Sequence, residues 1–172
     1  MSALLLSNSS DNYLELYGKK INKEIKKVFE KDEIHFEVFD LMQDTGLEDD
    51  NSFYKLISDN KIIGFANINK VNACQIGGCN RPDLLNTTRY DHFYYMAVFD
   101  INLSILKITV LDYQSEYGYE ICSKNWLKQF KGSPDKYFEY DENIDAISGA
   151  TVSAEAMVDE INILNRKIKE IF

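Results

Sequence analysis

At 172 residues the chain has the size of one domain with a sizeable core. Its 28 acidic and 19 basic residues give a net charge of -9, which speaks against a general binder of nucleic-acid backbone. No stretch reaches the roughly 20 apolar residues that span a bilayer, so no transmembrane segment is expected.

Ala3-Leu4-Leu5-Leu6 is too short, and lacks the basic flank, for an intact secretory signal. Residues 1–11 therefore read as a flexible N-terminal segment and 12–172 as a single domain. From Asn12 to Glu30 a helix is predicted, with Leu16, Ile21, Ile25, Val28 and Phe29 on its apolar stripe and Gly18 weakening its first part. Lys19, Lys20, Lys26 and Lys27 stand among Glu15, Glu24 and Glu30, the pattern of a solvated helix face. Ile34 to Leu41 alternates apolar Ile34, Phe36 and Val38 with His35 and Glu37, which predicts a half-buried strand.

Gln43 to Asn51 is acidic and loop-like. Phe53 to Ser58 and Lys61 to Lys70 flank Asp59-Asn60, a two-residue connection of the kind hairpins use. Cys74 to Thr88 holds Gly77, Gly78 and Pro82 and reads as an irregular excursion. A second hairpin joins Phe93 to Phe99 with Leu103 to Tyr113, where Leu106, Ile108 and Val110 should share one face. The aromatic residues Phe93, Tyr94, Tyr95 and Phe99 belong to sheet packing. Trp126, Leu127 and Phe130 mark a short amphipathic helix before Gly132-Ser133-Pro134. Beyond Thr151, the spacing of Met157, Ile161, Leu164, Ile168 and Ile171 draws one stripe on a long helix. Hairpin-linked strands between a helix at each end give an α+β fold, an antiparallel sheet flanked by N-terminal and C-terminal helices. A doubly wound nucleotide fold is disfavoured, because no glycine fingerprint follows a first strand.

Cys74, Cys79 and Cys122 are an odd number, so no fully paired framework exists. An exported location would make Cys74 and Cys79 a disulfide, since Gly77 and Gly78 between them give the ring its backbone freedom. Cys122 would then be the lone thiol, either packed in the core or beside a bound cofactor. Two histidines distant in sequence from the cysteines make a zinc site a poor reading.

The chemistry concentrates in Asp145-Ala146-Ile147-Ser148-Gly149-Ala150-Thr151-Val152-Ser153, where small and hydroxylated residues lead into the last helix. A helix start offers unpaired N–H groups and the positive end of the peptide dipole, and Gly149 and Ala150 let a phosphate approach the backbone. The plainer reading makes Thr151 or Ser153 an ordinary N-cap.

The order Asp-x-x-Ser-Gly-Ala-Thr resembles the flavinylation motif of the FMN-binding domain family, which includes subunits of the sodium-translocating NADH:quinone oxidoreductase and of the related Rnf complex. Phe99-Asp100, Tyr117-Gly118 and Ser123 to Phe130 extend the resemblance over Tyr90 to Thr151, which is similar to single-domain members of Bacteroidetes type. The resemblance implies FMN esterified to Thr151 by a separate FAD-dependent FMN transferase. Ser148, Gly149, Ala150 and Ser153 would surround the phosphate, and Asp145 would order the loop or be recognised by the transferase. It further implies an electron carrier that exchanges electrons with redox partner proteins in the periplasm or cell envelope, the signal peptide being absent from this chain. Ser115 to Glu120 is the leading surface for the flavin ring. Glu116 and Gly118 match the family's segment there, whereas Tyr117, Tyr119 and Glu120 depart from it. Trp126 and Leu127 would border the ring or pack the core, and Lys124 would place positive charge near its pyrimidine end. Two other readings stay open: a reductase or sensor holding FMN non-covalently, and an envelope interaction module without cofactor.

Overall fold

The computed structural model describes residues 9–39, 52–75, 90–114 and 118–171. Helix α1 covers Ser9–Phe29, and the strands are β1 His35–Phe39, β2 Ser52–Ser58, β3 Lys61–Gln75, β4 Tyr90–Phe99 and β5 Ile105–Tyr113. A 3₁₀ turn at Tyr119–Cys122, the short helix α2 at Lys124–Leu127 and a second 3₁₀ turn at Lys128–Phe130 follow, and helix α3 spans Thr151–Ile171. The strands form one antiparallel sheet in the order β1-β2-β3-β4-β5, so each strand lies beside its neighbour in sequence. The fold is α+β, with α1 and α3 flanking the sheet as the hairpin pattern predicts.

The hairpin at Asp59-Asn60 is explained by backbone sign. Both residues have positive φ, 53° and 59°, as a two-residue turn needs to match the twist of its strands. Its second strand continues to Gln75, past Lys70 and into the region the sequence assigns to an irregular excursion. The rest of that excursion and the acidic Gln43 to Asn51 lie outside the described residues.

Alternation along β4 divides the interior in two. Phe93, Tyr95, Ala97 and Phe99 enter a core with Met157, Ile161, Leu164 and Ile168 of α3. Met96 and Val98 point to the other face, where Ile21 and Ile25 of α1 pack with Tyr54, Leu56 and Ile68. A strand buried on both faces has to be almost continuously apolar, which accounts for Phe93 to Phe99 without a ligand.

The same packing corrects four expectations. Leu16 is 62% exposed, because the stripe of α1 runs instead through Leu14, Tyr17, Ile21 and Ile25. Glu24 is buried rather than solvated, since Lys107 of β5 and Lys27 both pair with it. Val38 is exposed because β1 is an edge strand with one lightly covered face. Leu106 leaves the face of Ile108 and Val110: Phe99 pairs with Ile105 and Val98 with Lys107, so Leu106 is the extra residue of a bulge and Ile105 takes the core position.

Candidate functional site

The start of α3 and the segment around Gly118 meet at one place. Gly118 is buried with φ 80°, a left-handed conformation that suits glycine. A methyl group there would lie 2.7 Å from the Tyr113 hydroxyl and 2.8 Å from Ser153 Oγ. Those two hydroxyls share a hydrogen bond at 2.9 Å, which ties the end of β5 to the first turn of α3. Ser153 is thus buried and occupied, and is not the N-cap.

Ahead of the helix, Ala150 N–H donates to Ile147 C=O at 3.2 Å and Gly149 has φ 82°. This is the turn whose third residue takes positive φ and therefore favours glycine. No atom beyond its chain neighbours comes within 4 Å of where a Gly149 side chain would begin, so that backbone faces open space. The first helical bond runs from Ala154 N–H to Ala150 C=O at 2.9 Å. The N–H groups of Thr151, Val152 and Ser153 therefore have no acceptor inside the helix. Ala150 has no polar side chain to cap them, and Thr151 is exposed. Ser148 and Asp145 are exposed, and Ala150 is buried.

The approach to this turn is held by α2 and the residues after it. Trp126 Nε1 donates to Asp145 C=O at 2.8 Å, and Asp145 N–H donates to Gln129 Oε1 at 3.0 Å. Tyr140 Oη accepts from Ile147 N–H at 3.0 Å. Asn162 of α3 bonds both backbone groups of Phe138, at 2.9 and 2.8 Å, and anchors the segment before Tyr140. Gln129, Tyr140, Tyr113 and Asn162 all position the motif, and sequence reading selected none of them for the site. Gln129 offered a weak signal, as the uncharged polar residue between Trp126 and Phe130.

A cavity of about 440 Å³ opens beside this turn, within the range of small-molecule sites. Tyr119, Glu120, Cys122, Ser123, Trp126 and Ile147 line it. Trp126 thus answers to both of its readings, since it is 5% exposed, stacks edge-on with Phe130, and still forms part of the wall. Leu127 is buried in the core, and it and Lys124 line a second, larger groove instead. Burial pushes the Cys122 thiol up, with Lys20 drawing it partly back, so a reactive thiolate is disfavoured. Glu116 and Tyr117 lie outside the described residues, as do the Cys79 position and any bond from it to Cys74.

Among the described residues no helix is long and apolar enough to cross a membrane. No curated protein matches the chain. Residues 91–164 match the model of the FMN-binding domain, a span that runs from β4 through the cavity wall, the Ile147–Ala150 turn and most of α3. Over this stretch the chain is similar to the FMN-binding domain family, and FMN is the cofactor that the match indicates.

Proposed function

We propose that the chain carries electrons on FMN held by a phosphoester to Thr151, attached by a separate FAD-dependent FMN transferase. The observation that carries this reading is the exposed Thr151 hydroxyl at the first residue of α3, directly behind a glycine turn that faces open space. The residues fit the group. The free N–H groups and positive dipole of the helix start suit the remaining phosphate charge. Gly149 leaves room for phosphate oxygens at the backbone. The cavity wall of Tyr119, Trp126 and Ile147 offers aromatic and apolar surface to a planar ring, and Ile147 opens the turn that ends at the helix. When bound, FMN supplies one-electron and two-electron redox chemistry.

A tether suits a carrier, because it removes the dissociation equilibrium of the cofactor. The chain itself orients and tunes: Trp126 and Gln129 hold the Asp145 backbone, and Tyr113 with Ser153 fixes the first turn of α3. On attachment the Thr151 oxygen would bond to the FMN phosphorus of FAD as the pyrophosphate bond breaks and AMP leaves, the hydroxyl proton being lost to solvent, so the chain would gain FMN less one water. The family resemblance supports work in the cell envelope with redox partner proteins.

Protein co-expressed with a matching transferase is expected to show that mass gain by intact-mass measurement, and Thr151→Ala to abolish it with the fold intact. A denaturation-resistant flavin on the Ala variant would exclude Thr151. Yellow cofactor released on denaturing the unsubstituted protein would favour non-covalent binding.

A further inference from the structure

The larger groove, about 920 Å³, follows the outer edge of β5 and is lined by every residue from Leu106 to Tyr113. β5 is the last strand of the sheet. Among the described residues its outer backbone is paired at one end, where Ile105 and Gly132 exchange hydrogen bonds at 2.8 and 3.1 Å. From Leu106 to Asp112, among the described residues, the outer edge receives one bond, from Lys20 Nζ to Leu111 C=O at 2.9 Å. An open edge presents a row of backbone donors and acceptors that another strand can satisfy.

The walls carry mostly positive charge. α1 supplies Lys20, Lys23 and Lys27, and the opposite wall supplies Lys124, Lys128 and Lys131. Against these lysines and Lys107 stand Glu24, already paired with Lys107 and Lys27, and Asp112, which accepts from Tyr17 and Gln114. Lys23, Lys124, Lys128 and Lys131 have no ion pair among the described residues. Such a cationic strip on a chain of net charge -9 marks a surface selective for a local anion rather than for any polyanion.

From the open edge and its lysine walls we infer that the β5 groove takes an extended acidic segment of a partner protein, which adds to the sheet as a sixth strand. Its backbone pairs with Leu106 to Asp112 over roughly 20 Å at about 3.3 Å per residue, and its carboxylates meet the lysines of both walls. Tyr119 and Cys122 line both this groove and the smaller cavity, so the bound segment lies beside the flavin site. Strand addition itself does not depend on flavin.

The test uses the full chain, expressed without a transferase, and a short fluorescent peptide of Glu-Glu-Val-Val repeats, which in a strand places carboxylates on both faces. Anisotropy is expected to show saturable binding that weakens with salt, and amide exchange within residues 106–112 to slow by about tenfold or more on binding. Joint reversal of the exposed Lys23, Lys128 and Lys131 to Glu is expected to weaken binding about tenfold or more with an unchanged melting temperature. Should that variant fold poorly, Lys128→Gln alone gives a smaller loss in the same direction. A peptide with proline at alternate valines keeps the charge but cannot form a strand, and is expected not to bind. Equal binding of that peptide, unprotected β5 amides, or preference for a single-stranded oligonucleotide would each overturn strand addition. Loss of flavin attachment leaves all these readouts in place, so the two readings fail separately.

Discussion

Two left-handed glycines bracket the site, and their surroundings assign them different tasks. Gly118 is enclosed by the Tyr113–Ser153 hydroxyl pair, whereas Gly149 faces open space. Gly149→Ala should therefore cost mainly the backbone strain of a side chain at positive φ, about 1 to 2 kcal/mol. Gly118→Val adds a collision with both hydroxyls and should cost about 1 to 3 kcal/mol more, as overpacked positions do. Urea unfolding of the two variants checks this order, and equal losses would mean that Gly118 is not clamped between β5 and α3. The need for glycine at position 118 was legible from the turn it forms between two tyrosines. Its reason was not, because Ser153 reaches it only after α3 has packed against the sheet. The exposed threonine at the start of α3 was legible for the opposite reason: motif, turn and helix start are contiguous in sequence.

At the scale of elements, α1 is fastened to β5 by three polar contacts: Glu24 with Lys107, Lys20 with the Leu111 carbonyl, and Tyr17 with Asp112. The hydrogen bond from Lys107 holds the Glu24 carboxyl down to about 2, helped by Lys27 and opposed by burial. Burial, followed by Asp112, pushes the Tyr17 hydroxyl up to about 12, so it stays protonated and bonded at neutral pH. Because the folded value for Glu24 lies below the unfolded one, its contribution is complete above pH 4.5 and fades as pH falls toward 2. Glu24→Gln should lower stability on the order of 2 kcal/mol at pH 7, with the gap narrowing toward pH 2. Denaturant titrations of both proteins at pH 7 and pH 3 measure it, and a constant gap would show that the ion pair is not the source. The sequence placed α1 correctly yet read Glu24 as solvated, since its lysine neighbours are local and Lys107 is not. The bulge at Leu106 was hidden likewise, because register is a property of the β4–β5 pair and no residue of β5 alone announces it.

Taken whole, the molecule ties its two halves together more closely than the extent of the family match suggests. The matched span, 91–164, contains β4, β5 and most of α3 but omits β3, which pairs with β4 from Phe65 to Gln75. Glu160 of α3 accepts hydrogen bonds from Asn69 of β3 and Tyr95 of β4, and so binds the helix to both strands at once. Phe53 of β2 and Val71 of β3 sit in the same core as Met157 and Ile161. On the other face, Met96 and Val98 of β4 are covered only with the help of α1, β2 and β3. Cutting the chain to residues 90–171 would leave one flank of β4 unpaired and that face bare, a strand edge and an apolar surface together. The fragment is therefore expected to lose near-ultraviolet circular dichroism and amide dispersion, to aggregate, and to take no flavin from a transferase even though it keeps the entire motif. A fragment that folds cooperatively and accepts FMN would show instead that β4, β5 and α3 suffice, and that α1 to β3 are an addition to the flavin-binding unit.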